Sequence, residues 1–167
     1  MKKFVLRYGI IGASISIVLG LLNWFFIAPA YGPNLSESIG YLSITVSLLT
    51  IPLGIKYFRD KLNSGIVSFN EGIKIGFGIT LISSLLMAIY GMLFFVIEGD
   101  DFRAWQQKWF TEAELQEAQV HMATMPEYMQ SPAFQGVIMF LMVFLIGTII
   151  NLISTLALRS SNKTLAR

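Results

Sequence analysis

The stretch from Tyr57 to Gly76, "YFRDKLNSGIVSFNEGIKIG", decides how this chain is organised. It gathers Arg59, Asp60, Lys61, Glu71 and Lys74, with Lys56 just before it, in a sequence of which only 13% is charged. A soluble domain carries about 25% charge. The cluster therefore marks a short polar hairpin between apolar runs. Arg59 and Lys61 suit the C-terminal end of a helix, where cations complement the dipole. Asn63, Ser64 and Gly65 have turn chemistry. Ser68 and Glu71 have the S-x-x-E spacing of a capping box, which predicts a new helix starting there. Ile66, Val67 and Phe69 are expected to dip into a membrane interface.

Outward from the hairpin, the chain is greasy. Its mean hydropathy is +0.65. A bilayer core needs about 20 apolar helical residues to cross it. Four runs qualify: about Tyr8 to Ile27, Ile39 to Phe58, Gly72 to Ile97 and Phe134 to Leu158. None carries Asp, Glu, Lys, Arg or His deep inside it, where a charge costs about 2.5 to 3.5 kcal/mol. A buried soluble core is the competing reading, but soluble helices rarely run so far without a charge. A signal peptide is a second competitor for the first run, since "APA" at 28 to 30 has an A-x-A pattern. That run is longer than the 7 to 15 apolar residues of such a signal. Trp24, Phe25 and Phe26 also fit an interfacial aromatic belt.

Cations fix the expected orientation, because cytoplasmic loops collect Lys and Arg. Lys2, Lys3, Arg7, Lys56, Arg59, Lys61, Lys74, Arg159, Lys163 and Arg167 fall on one side of a four-span topology. Arg103 and Lys108 fall on the other, among Glu37, Glu98, Asp100, Asp101, Glu112, Glu114, Glu117 and Glu127. Both termini are thus expected in the cytoplasm. The predicted fold class is all-α: a four-helix transmembrane bundle, residues 1–167 forming one integral membrane domain, with a short helical extracytoplasmic segment at about 98–132.

Small residues let helices approach closely in lipid. Gly12, Ser16 and Gly20 repeat in the first run, with Asn23 beyond them. Ser47 lies in the second, Gly76, Thr80 and Ser84 in the third, and Gly147, Asn151 and Thr155 in the fourth. These are candidate packing residues. Alternatively, the polar ones line a path between the spans. Coupled ion movement ordinarily needs intramembrane carboxylates or histidines, and these runs have none. Pro52 removes one backbone hydrogen bond and is expected to kink the second run.

In the outer segment Phe102, Trp105, Trp109 and Phe110 fall on one helical face and are candidate interfacial anchors, with Asp100 or Asp101 as the cap. A further helix is expected from the Thr111–Glu114 capping box to Pro126. Glu114, Glu117 and His121 share a face of it, but a zinc site wants at least three firm ligands with N or S donors. With no cysteine and one histidine, no metal or cofactor is expected. No hydrolase, zincin, phosphate-loop or dinucleotide signature occurs.

Several segments together resemble a known group. "MKKFVLRYG", "SGIVSFNEGIKIG", "TEAELQEAQ", "YMQSPAFQ" and "LISTLALR" are similar to those of a family of uncharacterised bacterial four-span inner-membrane proteins, a domain of unknown function. The resemblance covers nearly the whole chain. It implies the bacterial inner membrane and brings no activity or ligand. The expected function is that of a non-enzymatic scaffold or accessory protein acting through helix packing and its outer helices. The alternatives are a small transporter or channel component, and an enzyme on lipid or envelope substrates using the outer carboxylates. The expected partners are the lipid bilayer and a second copy or another membrane protein, with no nucleic acid.

Overall fold

A computed structural model describes residues 2–160. Lys163 and Arg167, counted above among the cytoplasmic cations, lie outside them. The described residues form an all-α bundle. Helix α1 runs Lys2–Leu22 and continues through a π-helical turn, Asn23–Ile27, into α2, Ala28–Ser47. Within α2 the chain reverses at Gly32, whose φ of 76° and ψ of −175° lie in a region open essentially to glycine alone. Pro33 follows, its fixed φ suiting the first position of the returning helix.

Helix α3 is Thr50–Tyr57 and ends in a second π-helical turn, Phe58–Leu62. The break between α2 and α3 at Leu48–Leu49 is the kink expected of Pro52. Without an N–H, Pro52 leaves the Leu48 carbonyl free, and the Ile51 N–H takes it at 2.9 Å. Helix α4 spans Phe69–Gln107, α5 Glu112–Thr124, a 3-10 turn Glu127–Gln130, and α6 Pro132–Leu158.

Three helical stretches, Lys2–Leu62, Phe69–Gln107 and Pro132–Leu158, are long and apolar enough to cross a membrane by length and composition. The first is folded back on itself, so four helical legs pack together. α1 runs antiparallel to α2–α3: Asn23 bonds Ser36, and Tyr8 meets Tyr57. α1 runs parallel to α4: Gly9 lies on Ile82 and Trp24 on Phe94. α4 and α6 are antiparallel, with Gly72 against Thr155 and Gly136 against Ala88.

The surface is far more apolar than that of a water-soluble domain, and small polar side chains share the interior with an apolar core. Val18, Leu53, Leu85, Leu145, Ile149 and Ile153 are exposed, whereas Ser16, Ser47, Thr80, Ser83, Ser84, Asn151 and Thr155 are buried. A solvent of hydrocarbon explains both halves of that pattern, since it rewards polar groups for pairing inside and does not penalise apolar ones outside.

The hairpin expected at 57–76 is present. Asn63 Nδ2 donates to the Ile66 carbonyl at 2.9 Å, and Ser64 and Gly65 both have positive φ. The Ser68–Glu71 capping box is complete, with Glu71 Oε2 accepting the Ser68 N–H at 2.8 Å. The Ser160 N–H donates to the Val67 carbonyl at 2.9 Å, so the end of α6 is tied to the hairpin. Phe4 stacks on Phe58 at the same end.

One expectation is corrected. The segment after Ile97 is not a separate interfacial helix: α4 continues without interruption to Gln107. Gly99 does not break it, because continuation packs the half-buried Phe102 and Trp105 against Trp24, at ring-centre distances of 5.7 and 5.6 Å. Asp100 does not cap a new helix there and instead pairs with Arg103 at 2.6 Å. Phe102 and Trp105 therefore pack inward. Trp109 and Phe110 lie beyond the helix end, and Trp109 covers Gly32.

Candidate functional site

The candidate residues separate into two places. In the first, α4 and α6 meet along a seam. Gly76 lies under the side chain of Asn151, and Gly147 under Thr80, where an added Cβ would come within 2.6 Å of Thr80 Cγ2. Asn151 Nδ2 donates to the Ile73 carbonyl at 3.1 Å, and Thr155 Oγ1 to Asn151 Oδ1 at 3.2 Å. Thr80 and Ser84 each donate back to the carbonyl four residues earlier, at 2.8 and 2.9 Å. Gly12 approaches α2–α3, where an added Cβ would come within 2.7 Å of Thr50 Oγ1 and 3.1 Å of the Ser47 carbonyl. The Ser47 hydroxyl is turned to its own helix, donating to the Ile44 carbonyl at 2.7 Å.

In the second place, Ser16 and Gly20 of α1 and Asn23 just after it line a cavity of about 370 Å³. It lies between α1, α2, α4 and α6, in the half of the bundle away from the 57–76 hairpin. Its volume is in the range of small-molecule pockets, about 300–1,000 Å³. Trp24, Tyr90, Phe94, Phe102 and Trp105 form much of its wall, and Ile44 and Met87 also line it. Nearer the hairpin along the bundle, Leu48, Ile51, Ile75 and Ile79 are wholly buried. Asn23 and Asn151 thus lie at different levels of the bundle, and Ser47, Thr80, Ser83 and Ser84 between them are buried with their hydroxyls donated to backbone carbonyls.

Asn23 opens the π-helical turn, a feature frequent at functional sites. Its Nδ2 donates to both the carbonyl and the hydroxyl of Ser36, each at 2.9 Å. Its Oδ1 is buried and has no donor among the described residues. The rim nearby is held by two indoles. Trp24 Nε1 donates to Glu98 Oε2 at 3.2 Å, and Trp105 Nε1 to the Ala28 carbonyl at 2.9 Å. A second hollow of about 310 Å³, between α4 and α6, has Ala88, Met92, Gly136 and Phe140 in its lining.

The outer helix α5 begins at its predicted capping box. Glu114 Oε2 accepts the Thr111 N–H at 2.7 Å and the Thr111 hydroxyl at 2.8 Å, which holds its carboxyl below the ordinary range. Glu114 is thereby engaged as a cap. Among the described residues no group of three or more His, Asp or Glu side chains is placed to hold a metal ion.

Sequence reasoning missed Ser36, Tyr90 and the inward role of Trp24. The "YGPN" of residues 31–34 was the available signal: a Gly-Pro pair marks a turn, and a turn there brings Ser36 back to Asn23.

No curated protein and no solved structure matches the chain. A family model described as a protein of unknown function, DUF4199, matches residues 7–160, and the chain belongs to that family.

Proposed function

We propose that this protein crosses the bacterial inner membrane four times, with both termini and the 63–68 turn in the cytoplasm, and acts as a non-enzymatic scaffold or accessory protein. The observation that carries the scaffold reading is the α4–α6 seam, where Gly76 and Gly147 admit Asn151 and Thr80 and the polar side chains are spent on hydrogen bonds. A seam of that kind builds a stiff helix pair. The buried hydroxyls of Ser47, Thr80, Ser83 and Ser84 each donate to a backbone carbonyl, which weighs against a polar path through the spans. The sorting of Lys and Arg supports the orientation. The partner is a second copy or another membrane protein, engaged through the outward apolar faces and the segment 107–131.

In-cell crosslinking followed by mass spectrometry tests the reading. The expected result is a defined crosslinked species, a homo-oligomer or one membrane partner, that is lost when Gly76 and Ser84 are replaced by Leu. If both substitutions leave assembly and stability intact, the scaffold reading is wrong.

A further inference from the structure

We infer that the end of α5 and the turn after it form a binding site for Cu(I), held by the thioethers of Met122, Met125 and Met129 with the imidazole of His121 beside them. This goes beyond the scaffold reading and stands on different residues. The stretch "HMATMPEYM", residues 121–129, gathers three methionines and the single histidine of the chain. Methionines ordinarily fill gaps in a core. Here they do not: neither α5 nor the 3-10 turn after it has a buried residue. Met122 is exposed, and Met125 and Met129 are half-buried. The stretch also lies outside the helices long and apolar enough to cross a membrane, so hydrocarbon does not account for these side chains either.

The fold gathers the four donors. At 3.6 residues per turn, His121, Met122 and Met125 share an arc of about 100° at the end of α5. The Met125 N–H closes the helix on the His121 and Met122 carbonyls, at 3.0 and 3.3 Å. Pro126 then turns the chain. The Gln130 side chain reaches back, its Nε2 donating to the Met122 carbonyl at 3.1 Å and the Met125 carbonyl at 3.2 Å. Met129, next to Gln130, is thereby returned to the end of the helix. All of these bonds are accepted by backbone carbonyls, not by the sulfurs or the imidazole.

Donor chemistry and charge choose the ion. Thioethers are soft, neutral donors that select Cu(I). Zn(II) wants several imidazoles or thiolates, and this chain has one histidine and no cysteine. A helix C-terminus favours a cation. Glu117 and Glu127 flank the stretch, and no Lys or Arg occurs between Lys108 and Arg159 to repel one.

The test uses Ag(I), a redox-stable ion of the same charge and softness. It is titrated calorimetrically, without chloride, into the full untagged chain in maltoside micelles. The expected result is one saturable Ag(I) per chain and no saturable Zn(II). Leu replaces Met with little change of volume, so the variants keep the fold. Met122→Leu, Met125→Leu and Met129→Leu are each expected to weaken binding about tenfold or more, at least what the loss of a supporting partner costs a metal site. The triple replacement is expected to abolish it. Met87, Met92, Met139 and Met142 stay in place there as an internal control. Ag(I) binding that survives the triple replacement, or no binding by the unaltered chain, overturns the site. Zn(II) binding as tight as Ag(I) overturns the metal class. If His121→Ala abolishes binding and the three Leu variants do not weaken it, thioether ligation is wrong. A second measurement needs no variant: the chain loaded anaerobically with one equivalent of Cu(I) is read by copper K-edge absorption. Without cysteine, any sulfur neighbour is a methionine. Sulfur neighbours are expected; copper surrounded by nitrogen and oxygen alone overturns the proposal.

Discussion

Asn151 of α6 lies directly over Gly76 of α4 and donates its amide N–H to the Ile73 carbonyl, 3.1 Å away. The pair joins the two helices at a point where Gly76 has no room for a side chain. Gly76→Ala must push Asn151 aside and break that bond. The expected cost is roughly 1–3 kcal/mol, as for other overpacked sites. The thermal unfolding midpoint in detergent reads it. Gly40→Ala is the control: nothing lies within 4 Å of its added Cβ, and replacing a helical glycine without a clash is expected to leave the midpoint no lower.

Gly32 is a different kind of glycine. Its φ of 76° with ψ near −175° is strained for any side chain, and an added Cβ also meets Trp109 at 2.9 Å. Gly32→Ala is expected to destabilise the α1–α2 reversal by roughly 1–3 kcal/mol. Faster amide exchange at residues 28–36, with a shift in Trp109 emission, would show it. Unchanged exchange would mean that the reversal does not depend on Gly32.

The two capping boxes predict a pH dependence. Backbone and hydroxyl hydrogen bonds from Ser68 and Thr111 hold the Glu71 and Glu114 carboxyls low. A depressed carboxyl stabilises its helix start fully above the unfolded value of about 4.3 and loses that contribution as pH falls through the folded pKa. Protection of the first turn of α5 is therefore expected to be flat above about pH 5.5 and to fall in acid below the unfolded pKa of about 4.3. Glu114→Gln is expected to flatten that acid dependence. Hydrogen exchange across the pH range makes the comparison; a wild-type profile identical to Glu114→Gln would contradict it.

Much of the bundle was legible in the sequence because its signals are local. Ser68 with Glu71, Thr111 with Glu114, and Asn63-Ser64-Gly65 each specify a cap or turn within a few residues. The spacing of Gly76, Thr80, Gly147 and Asn151 marked faces that do meet. What was not legible depended on pairing between distant segments. Phe102 and Trp105 have the spacing of an interfacial helix, and only the position of Trp24, some eighty residues earlier, turns them inward. Asn23 looked like one member of a polar line with Thr80 and Asn151. Its immediate surroundings are set by the turn at Gly32, which brings Ser36 back to it. The helix α4 ran past its apolar stretch because helix propagation needs no further apolar residues, only a neighbour to pack on.

Topology is the claim on which the rest depends, and the absence of cysteine makes it directly measurable. Asn63→Cys, Ser160→Cys and Lys108→Cys are each treated, in intact cells with a permeable outer membrane, with a membrane-impermeant maleimide. Labelling is expected at position 108 alone, with 63 and 160 reacting only after the inner membrane is opened. Labelling of 63 and 108 from the same side, or of 63 and 160 from opposite sides, would contradict four crossings with cytoplasmic ends.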